Sequence, residues 1–294
     1  MVKKIFLLDK NIISLLDINN SRIKHKNEIE MLQFIRRHDK KNYAFSAAPS
    51  ILEGRIRRRE NESEIKKTIE RENQILQNFL KNARTDVHLW NDEILNLSFA
   101  FSSSQMQGKE LQYKELLKIY YKLLIEYQIK GSVPQSSMKE FAYKILWTCE
   151  RLNLPRIHPN VLVIIMAIFQ KWENKEEDNP CNILRPKKKF KSIDEKIHNV
   201  YSDLSIHILL SHSIFLAEGT PIQFLTCDGP LKSYVQLFEV KQVMSPIRVS
   251  SHQIEFKHNV SINSQSLKQF ILELFENYDK EKLLGKINYI NSYS

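Results

Sequence analysis

The sequence predicts an α/β fold on a mostly parallel central sheet, enlarged by a long all-α insertion, and three observations carry that prediction. Lys4-Ile5-Phe6-Leu7-Leu8 is an apolar run too short for a helix, and it stops at Asp9 before a helix-like segment. A run of this kind is a strand covered on both faces by the helices that connect it to its neighbours. Tyr43-Ala44-Phe45-Ser46 and Ile222-Gln223-Phe224-Leu225-Thr226 repeat the strand-then-helix pattern. Between Arg55 and about His198, by contrast, apolar residues recur at helical spacing, and almost nothing alternates like a half-buried strand. Only 6 of 294 residues are glycine, which disfavours a sandwich or barrel made of many tight turns.

Taken in order, Asn11 to Leu16 has helical apolar spacing, and Glu28 to Arg37 is amphipathic with Ile29, Leu32 and Ile35 on one face. Asp39-Lys40-Lys41-Asn42 then breaks the pattern ahead of the second strand. Pro49 suits the first turn of a helix, where its missing N–H costs nothing, so Glu53 falls about one turn inside. Four helices follow, from Glu64 to Asn82, Gly108 to Lys130, Ser136 to Asn153 and Pro159 to Trp172. Glu173 to Lys191, which contains Arg185-Pro186-Lys187-Lys188-Lys189, reads as an exposed loop. Asn199 to Leu216 is a long helix closed by Glu218-Gly219. After the third strand come a short helix over Leu231 to Leu237, a strand over Val240 to Met244 and a last amphipathic helix over Ser266 to Leu284. The expected organisation is a core of residues 1–58 and 198–248, a helical insertion of residues 59–197 and a C-terminal extension of residues 249–294.

Composition narrows the function classes. The chain is 42% hydrophobic and 27% charged, the balance of a folded protein with a sizeable core. Lys and Arg total 44 against 34 Asp and Glu, and the net charge of +10 suits a polyanionic partner as well as a merely Lys-rich surface. Cys149, Cys181 and Cys227 are odd in number and lack paired zinc spacing, which fits a reducing cytoplasm. Lys3 and Lys4 lead into an apolar run too brief for a secretory signal, and Val161 to Phe169 is far short of a membrane span. A membrane is therefore not an expected partner.

The candidate chemistry lies in four acids. Asp9 and Asp228 follow strands and precede helices, so each alone could be an N-cap accepting backbone N–H bonds. Glu53 alone suits a first helical turn. Asp203 sits among Leu204, Ile208 and Leu209, where an unpartnered carboxylate would cost several kcal/mol, on the order of a buried polar group. Together the four can meet where parallel strands present their carboxyl ends. Clustered carboxylates without His or Cys favour one or two Mg²⁺ or Mn²⁺ ions.

The segments Ile5-Phe6-Leu7-Leu8-Asp9-Lys10-Asn11, Ser50-Ile51-Leu52-Glu53, Tyr201-Ser202-Asp203 and Phe224-Leu225-Thr226-Cys227-Asp228 resemble, in order and context, the acidic motifs of PIN-domain ribonucleases. The resemblance covers residues 1 to 58 and 198 to 248. It implies a three-layer α/β/α core and metal-dependent endoribonuclease activity, with Asp9, Glu53, Asp203 and Asp228 as the catalytic and metal-holding acids. It also implies that Asn11 orients Asp9 and that Thr226 supports the site from behind. Two features depart from the family pattern. The helical insertion is foreign to its compact form, and Lys10 after Asp9 is uncommon, though its side chain can point outward. A role as a toxin or defence effector held by an inhibitor protein, or a homo-oligomer, follows from family analogy alone.

Arg55, Arg57, Arg58 and Arg59 follow Glu53 closely and are candidate phosphate contacts, against the alternative of a solvated helix face. His207 and His212 are five apart, the wrong spacing for a zinc pair on one helix face, and read as structural. Cys227 has no evident His–acid partner and reads as a small buried thiol rather than a nucleophile. Tyr120, Tyr121, Tyr127 and Tyr143 read chiefly as packing rather than base-stacking residues. RNA is the expected substrate over DNA. The rival readings are a non-catalytic RNA-binding or protein-interaction module on the same core, and a DNA-cleaving nuclease.

Overall fold

A computed structural model describes residues 2–17, 25–58, 60–89, 104–129, 132–172, 178–184, 190–208, 219–243, 247–250, 253–255 and 258–284, with the single residues 210 and 217. In it β1 (Lys4–Leu8), β2 (Tyr43–Ser46) and β3 (Ile222–Leu225) form a parallel sheet of order β2-β1-β3. Lys4 lies opposite Tyr43 on one side of β1, and Ile5 lies opposite Ile222 on the other. β1 reads as a continuous apolar run because both of its faces are covered: Ile5, Phe6, Leu7 and Leu8 are all buried, so the run cannot alternate. The chain leaves β1 for one neighbour and later returns to the other side. The carboxyl end of β1 is thus a switch point, where open α/β sheets form their crevices.

Two compact units divide the chain. Unit 1 takes Met1–Gly108, Ser202–Lys232 and Val240–Asn259. It holds the sheet with α1 (Lys10–Leu16), α2 (Lys26–His38), α3 (Ala48–Arg58), α4 (Glu62–Phe79) and the one-turn α5 (Asp86–Leu89). α1 buries Ile12, Ile13, Leu15 and Leu16 and packs against α3 and α4. α4 starts at a capping box in which Asn61 accepts from the Glu64 N–H and Glu64 accepts from the Asn61 N–H. Its inner face is Ile65, Ile69, Glu72, Asn73 and Leu76. Through its contacts with α1 and α3, α4 lies in the same compact unit as the sheet.

Beyond β2, Arg84 pairs with Ala44 as a parallel bridge and extends the sheet edge by one residue. The turn leading to it is held by Asp39, whose carboxylate accepts the N–H groups of Lys81 at 2.8 Å, Asn82 at 2.8 Å and Ala83 at 2.7 Å. Burial works against this charge, but the three amides outweigh it and hold the Asp39 carboxyl below its ordinary value. Asp39→Ala is expected to lower stability by about 1–2 kcal/mol at neutral pH. The folded-state value is depressed, so the deficit should disappear as pH falls through and below it. Urea midpoints at pH 7 and pH 3 check both statements.

Unit 2 takes Lys109–Tyr201, Ser233–Glu239 and Val260–Ser294. Most of α6 (Ser104–Glu126) lies in it, with α7 (Gln135–Arg151), α8 (Pro159–Phe169) and α11 (Gln265–Leu283), the last numbered after α9 (Ile193–Leu204) and α10 (Gly229–Leu237). α8 is buried almost all round, from Pro159 to Met166 and at Ile168, as expected of a helix with no polar face. Tyr120, Tyr121 and Tyr143 are buried core residues. Glu150 ties three segments together: Arg156 and Lys282 donate to its two oxygens, and Arg156 also meets Asp279 at 2.8 Å.

Three stretches differ from the sequence expectation. The helix expected over Asn199 to Leu216 begins at Ile193 instead and is interrupted after Leu204. There the Ser205 hydroxyl donates to the Ser202 carbonyl at 2.7 Å and competes with the helical ladder. Within the expected loop Glu173 to Lys191, Pro180–Leu184 forms a 3₁₀ turn that buries Cys181, Ile183 and Leu184, with the Tyr121 hydroxyl donating to the Leu184 carbonyl at 2.6 Å. Residues 173–177 and 185–189 lie outside the described residues. After β4 (Phe238–Val243), β5 (Ile247–Ser250) and β6 (Gln253–Glu255) pair antiparallel, and β7 (His258–Ile262) pairs with β4. Among the described residues no helix is long and apolar enough to cross a membrane.

Candidate functional site

Asp9 is the first residue after the central strand, 6% exposed and buried among polar partners. Its backbone N–H continues the sheet by donating to the Leu225 carbonyl at 3.0 Å, and its side chain caps α1 by accepting the Lys10 N–H at 2.8 Å on Oδ1. The other oxygen, Oδ2, accepts the Thr226 hydroxyl at 2.7 Å and the Asn11 side-chain amide. Thr226 has one hydroxyl hydrogen, which goes to Asp9. Its lone pairs accept from Asn11 Nδ2 at 3.0 Å and from the Asp228 N–H at 3.0 Å. Asn11 is equally committed, since its Oδ1 accepts the Cys227 N–H at 3.1 Å. The network locks the turn after β1 to the turn after β3 and fixes the Asn11 amide orientation.

Three donors on one carboxylate normally favour its charged form. Here burial, with Glu53 and then Asp203 adding like charge, outweighs the Thr226 and Lys10 bonds and pushes the Asp9 carboxyl from 3.8 up to about 7. The fold thus brings Glu53 of α3 and Asp203 of α9 each within electrostatic reach of Asp9 at the end of β1. Glu53 and Asp203 are half-buried. Asp228 is placed differently. Its side chain is exposed and accepts the Leu231 N–H at 2.9 Å, the bond of an N-cap on α10.

Of the basic candidates, Arg55, Arg57 and Arg58 lie on α3 with side chains outside the described residues, as is the whole of Arg59. His207 is fully buried and Cys227 is half-buried. Glu72 escaped the sequence reading. It is fully buried on α4, and Lys10, the residue after Asp9, donates to it instead of pointing outward. The signal was available, because Glu72 occupies the same stripe as Ile65, Ile69 and Leu76.

The donor chemistry fits a hard divalent cation: every acid is an oxygen ligand, and one of the roughly four lone-pair positions of the Asp9 carboxylate is left after its three bonds. The spacing does not complete a ligand set. Among the described residues no three His, Cys, Asp or Glu side chains converge closely enough to hold an ion. Electrostatic influence extends further than coordination, and the two observations are consistent on that ground. No family model matches the chain, and neither does any curated protein or solved structure. The fold and the site define a mixed α/β protein with a buried carboxyl, Asp9, at the carboxyl end of a parallel sheet and two further acids acting on it.

Proposed function

We propose that the chain is a Mg²⁺- or Mn²⁺-dependent nuclease with a PIN-like core, acting on RNA in preference to DNA. The observation that carries this reading is Asp9. A carboxyl buried at the end of the central strand and raised to about 7 beside two further acids costs stability when ionised, and a cation among the acids would offset that cost. Asp9, Glu53 and Asp203 would supply the ligands, drawn closer together by the ion than they stand without it, while Asn11 and Thr226 orient Asp9. When bound, such an ion supplies a water of lowered pKa and neutralises charge that builds on a phosphodiester. Glu53, half-exposed, is suited to positioning the attacking water. Asp228 holds the turn after β3 by capping α10, and its backbone N–H fixes Thr226. The net charge of +10 supports a polyanionic substrate that the acids alone would repel.

Purified protein should cleave RNA in Mn²⁺ and not in EDTA. Glu53→Gln and Asp203→Asn should each lower the rate at least about 100-fold. Asp228→Asn keeps the cap, so any change in cleavage reads its charge alone, and a loss under about tenfold is expected. Absence of cleavage with both Mg²⁺ and Mn²⁺, with melting unaffected by either ion, would end this reading. Retained RNA binding would then favour a non-catalytic binder.

A further inference from the structure

Three segments far apart in sequence meet at the amino end of the parallel sheet, the edge opposite Asp9. The Lys3 N–H donates to the Asn42 carbonyl at 2.7 Å, and the Arg84 N–H donates to the Tyr43 carbonyl at 3.0 Å. Asp39 clamps the turn from Lys81 to Ala83 against the end of α2. Lys3, Lys40, Lys41, Lys81 and Arg84 are all exposed on these joined turns, and exposed Arg36 and Arg37 close the last turn of α2 beside them. Asp39 is the only acid between residues 31 and 52, and there is none between 73 and 85. Its carboxylate is already occupied by three backbone amides, which leaves the surrounding cations without a local counter-charge from these segments.

We infer that this amino-end edge is a docking surface for the phosphate backbone of nucleic acid, distinct from the acidic crevice and separated from it by the length of β1, roughly 15 Å. The chemistry favours nucleic acid over other anionic partners. A protein interface centres on a desolvated apolar patch, and a face that anchors in a membrane adds inserted apolar residues to its cations. None of the exposed large hydrophobic residues lies within residues 3–4, 36–43 or 79–84. The patch instead interleaves cations with rings: the Arg36 guanidinium sits 5.4 Å over the half-buried Phe79 ring, and Tyr43 is half-buried. Neighbouring strand ends lie about 4.8 Å apart, a step of the same order as the roughly 3.4 Å per nucleotide along a nucleic-acid strand. A strand held here would run along the sheet edge and contact several phosphates in turn.

The inference rests on the nucleic-acid part of the proposed function and not on cleavage. Anisotropy of a labelled single-stranded RNA with the full chain in EDTA, over roughly 50 to 200 mM KCl, tests it. The triple variant Lys40→Ala/Lys41→Ala/Lys81→Ala should bind about 10- to 100-fold more weakly at low salt, with a salt slope smaller by about 2–3 and melting unchanged. The matched variant Lys67→Ala/Lys122→Ala/Lys268→Ala removes equal charge elsewhere and should bind nearly as wild type. Equal losses in both triples would mean diffuse attraction and overturn the assignment. So would failure of the wild type to bind RNA, or capture of anionic vesicles or polyglutamate by this edge with RNA binding unaffected. Cleavage in Mn²⁺ is scored separately, so a wild type that never cuts but shows the expected map refutes the nuclease and leaves this surface standing.

Discussion

Asp9→Asn is expected to make the ion-free protein more stable than wild type at pH 8 and less stable at pH 4. Burial and the Glu53 and Asp203 charges raise the folded-state Asp9 carboxyl from 3.8 to about 7. Between those two values the folded wild type holds a proton that the unfolded chain has released. Its stability therefore falls as pH rises through that window. The interval corresponds to roughly 4 kcal/mol, absent below about pH 4 and fully developed above about pH 7. Asn removes the titration but cannot present acceptors on both sides. One of the bonds from Lys10, Asn11 or Thr226 must be lost, at about 1–2 kcal/mol. The difference between variant and wild type should thus change sign, with the crossing near pH 5, where the wild type has lost as much as the variant lacks. Urea unfolding in EDTA across pH 4 to 8 measures it, and parallel wild-type and variant profiles would refute the raised carboxyl. The same variant should lose Mn²⁺-dependent RNA cleavage if Asp9 holds the ion.

How much of this was legible in the sequence varies with the range of the interaction. β2 is readable because Tyr43-Ala44-Phe45-Ser46 is a complete apolar strand between a charged turn and a proline-containing helix start. The contact of Asn11 and Thr226 with Asp9, which the motif resemblance implies, has a related basis: each lies within three residues of a strand's carboxyl end, and adjacent parallel strands bring those ends together. The N-cap reading of Asp228 is likewise local, as is the bond that makes it. Glu72 is different. A carboxylate on an apolar helix stripe announces a buried partner, but nothing local names Lys10, which is 62 positions away.

The same logic explains the remaining differences. The break at Ser205 depends on one hydroxyl choosing a carbonyl three residues back, a choice that apolar periodicity does not register. Ile247 and Val249 alternate as a strand should, but a two-stranded ribbon takes its stability from what it pairs with. The basic edge is the largest case. Asp39-Lys40-Lys41 reads as a solvated turn by itself. It becomes part of a patch only when β1, α2 and the turn after α4 are folded together.

Lys10→Met should be the most damaging single surface-proximal change in unit 1, because the Lys10 side chain is 30% exposed but the Glu72 side chain it contacts is 1% exposed. Removing one partner of a buried pair leaves an ion in low dielectric, a loss of about 3–5 kcal/mol when both partners are buried. The exposure of Lys10 reduces that to about 2–3 kcal/mol here. Glu72 shares its helix face with Ile65, Ile69 and Leu76, so an apolar side chain of similar length belongs there. Lys10→Met/Glu72→Met should recover stability to within about 1 kcal/mol of wild type. A double-mutant cycle on chemical unfolding measures the coupling, and additive losses would show that the pair does not hold α1 to α4. The double variant also separates two ways in which Lys10 can influence Asp9. The bond from position 10 to the Asp9 carboxylate comes from the backbone N–H, which Met retains. The pH profile of the double variant should therefore run parallel to that of the wild type, with the same fall in stability up to about pH 7. A steeper fall would assign part of the Asp9 environment to the Lys10 ammonium and make the Glu72 contact a control on the acidic crevice instead of a tie between two helices.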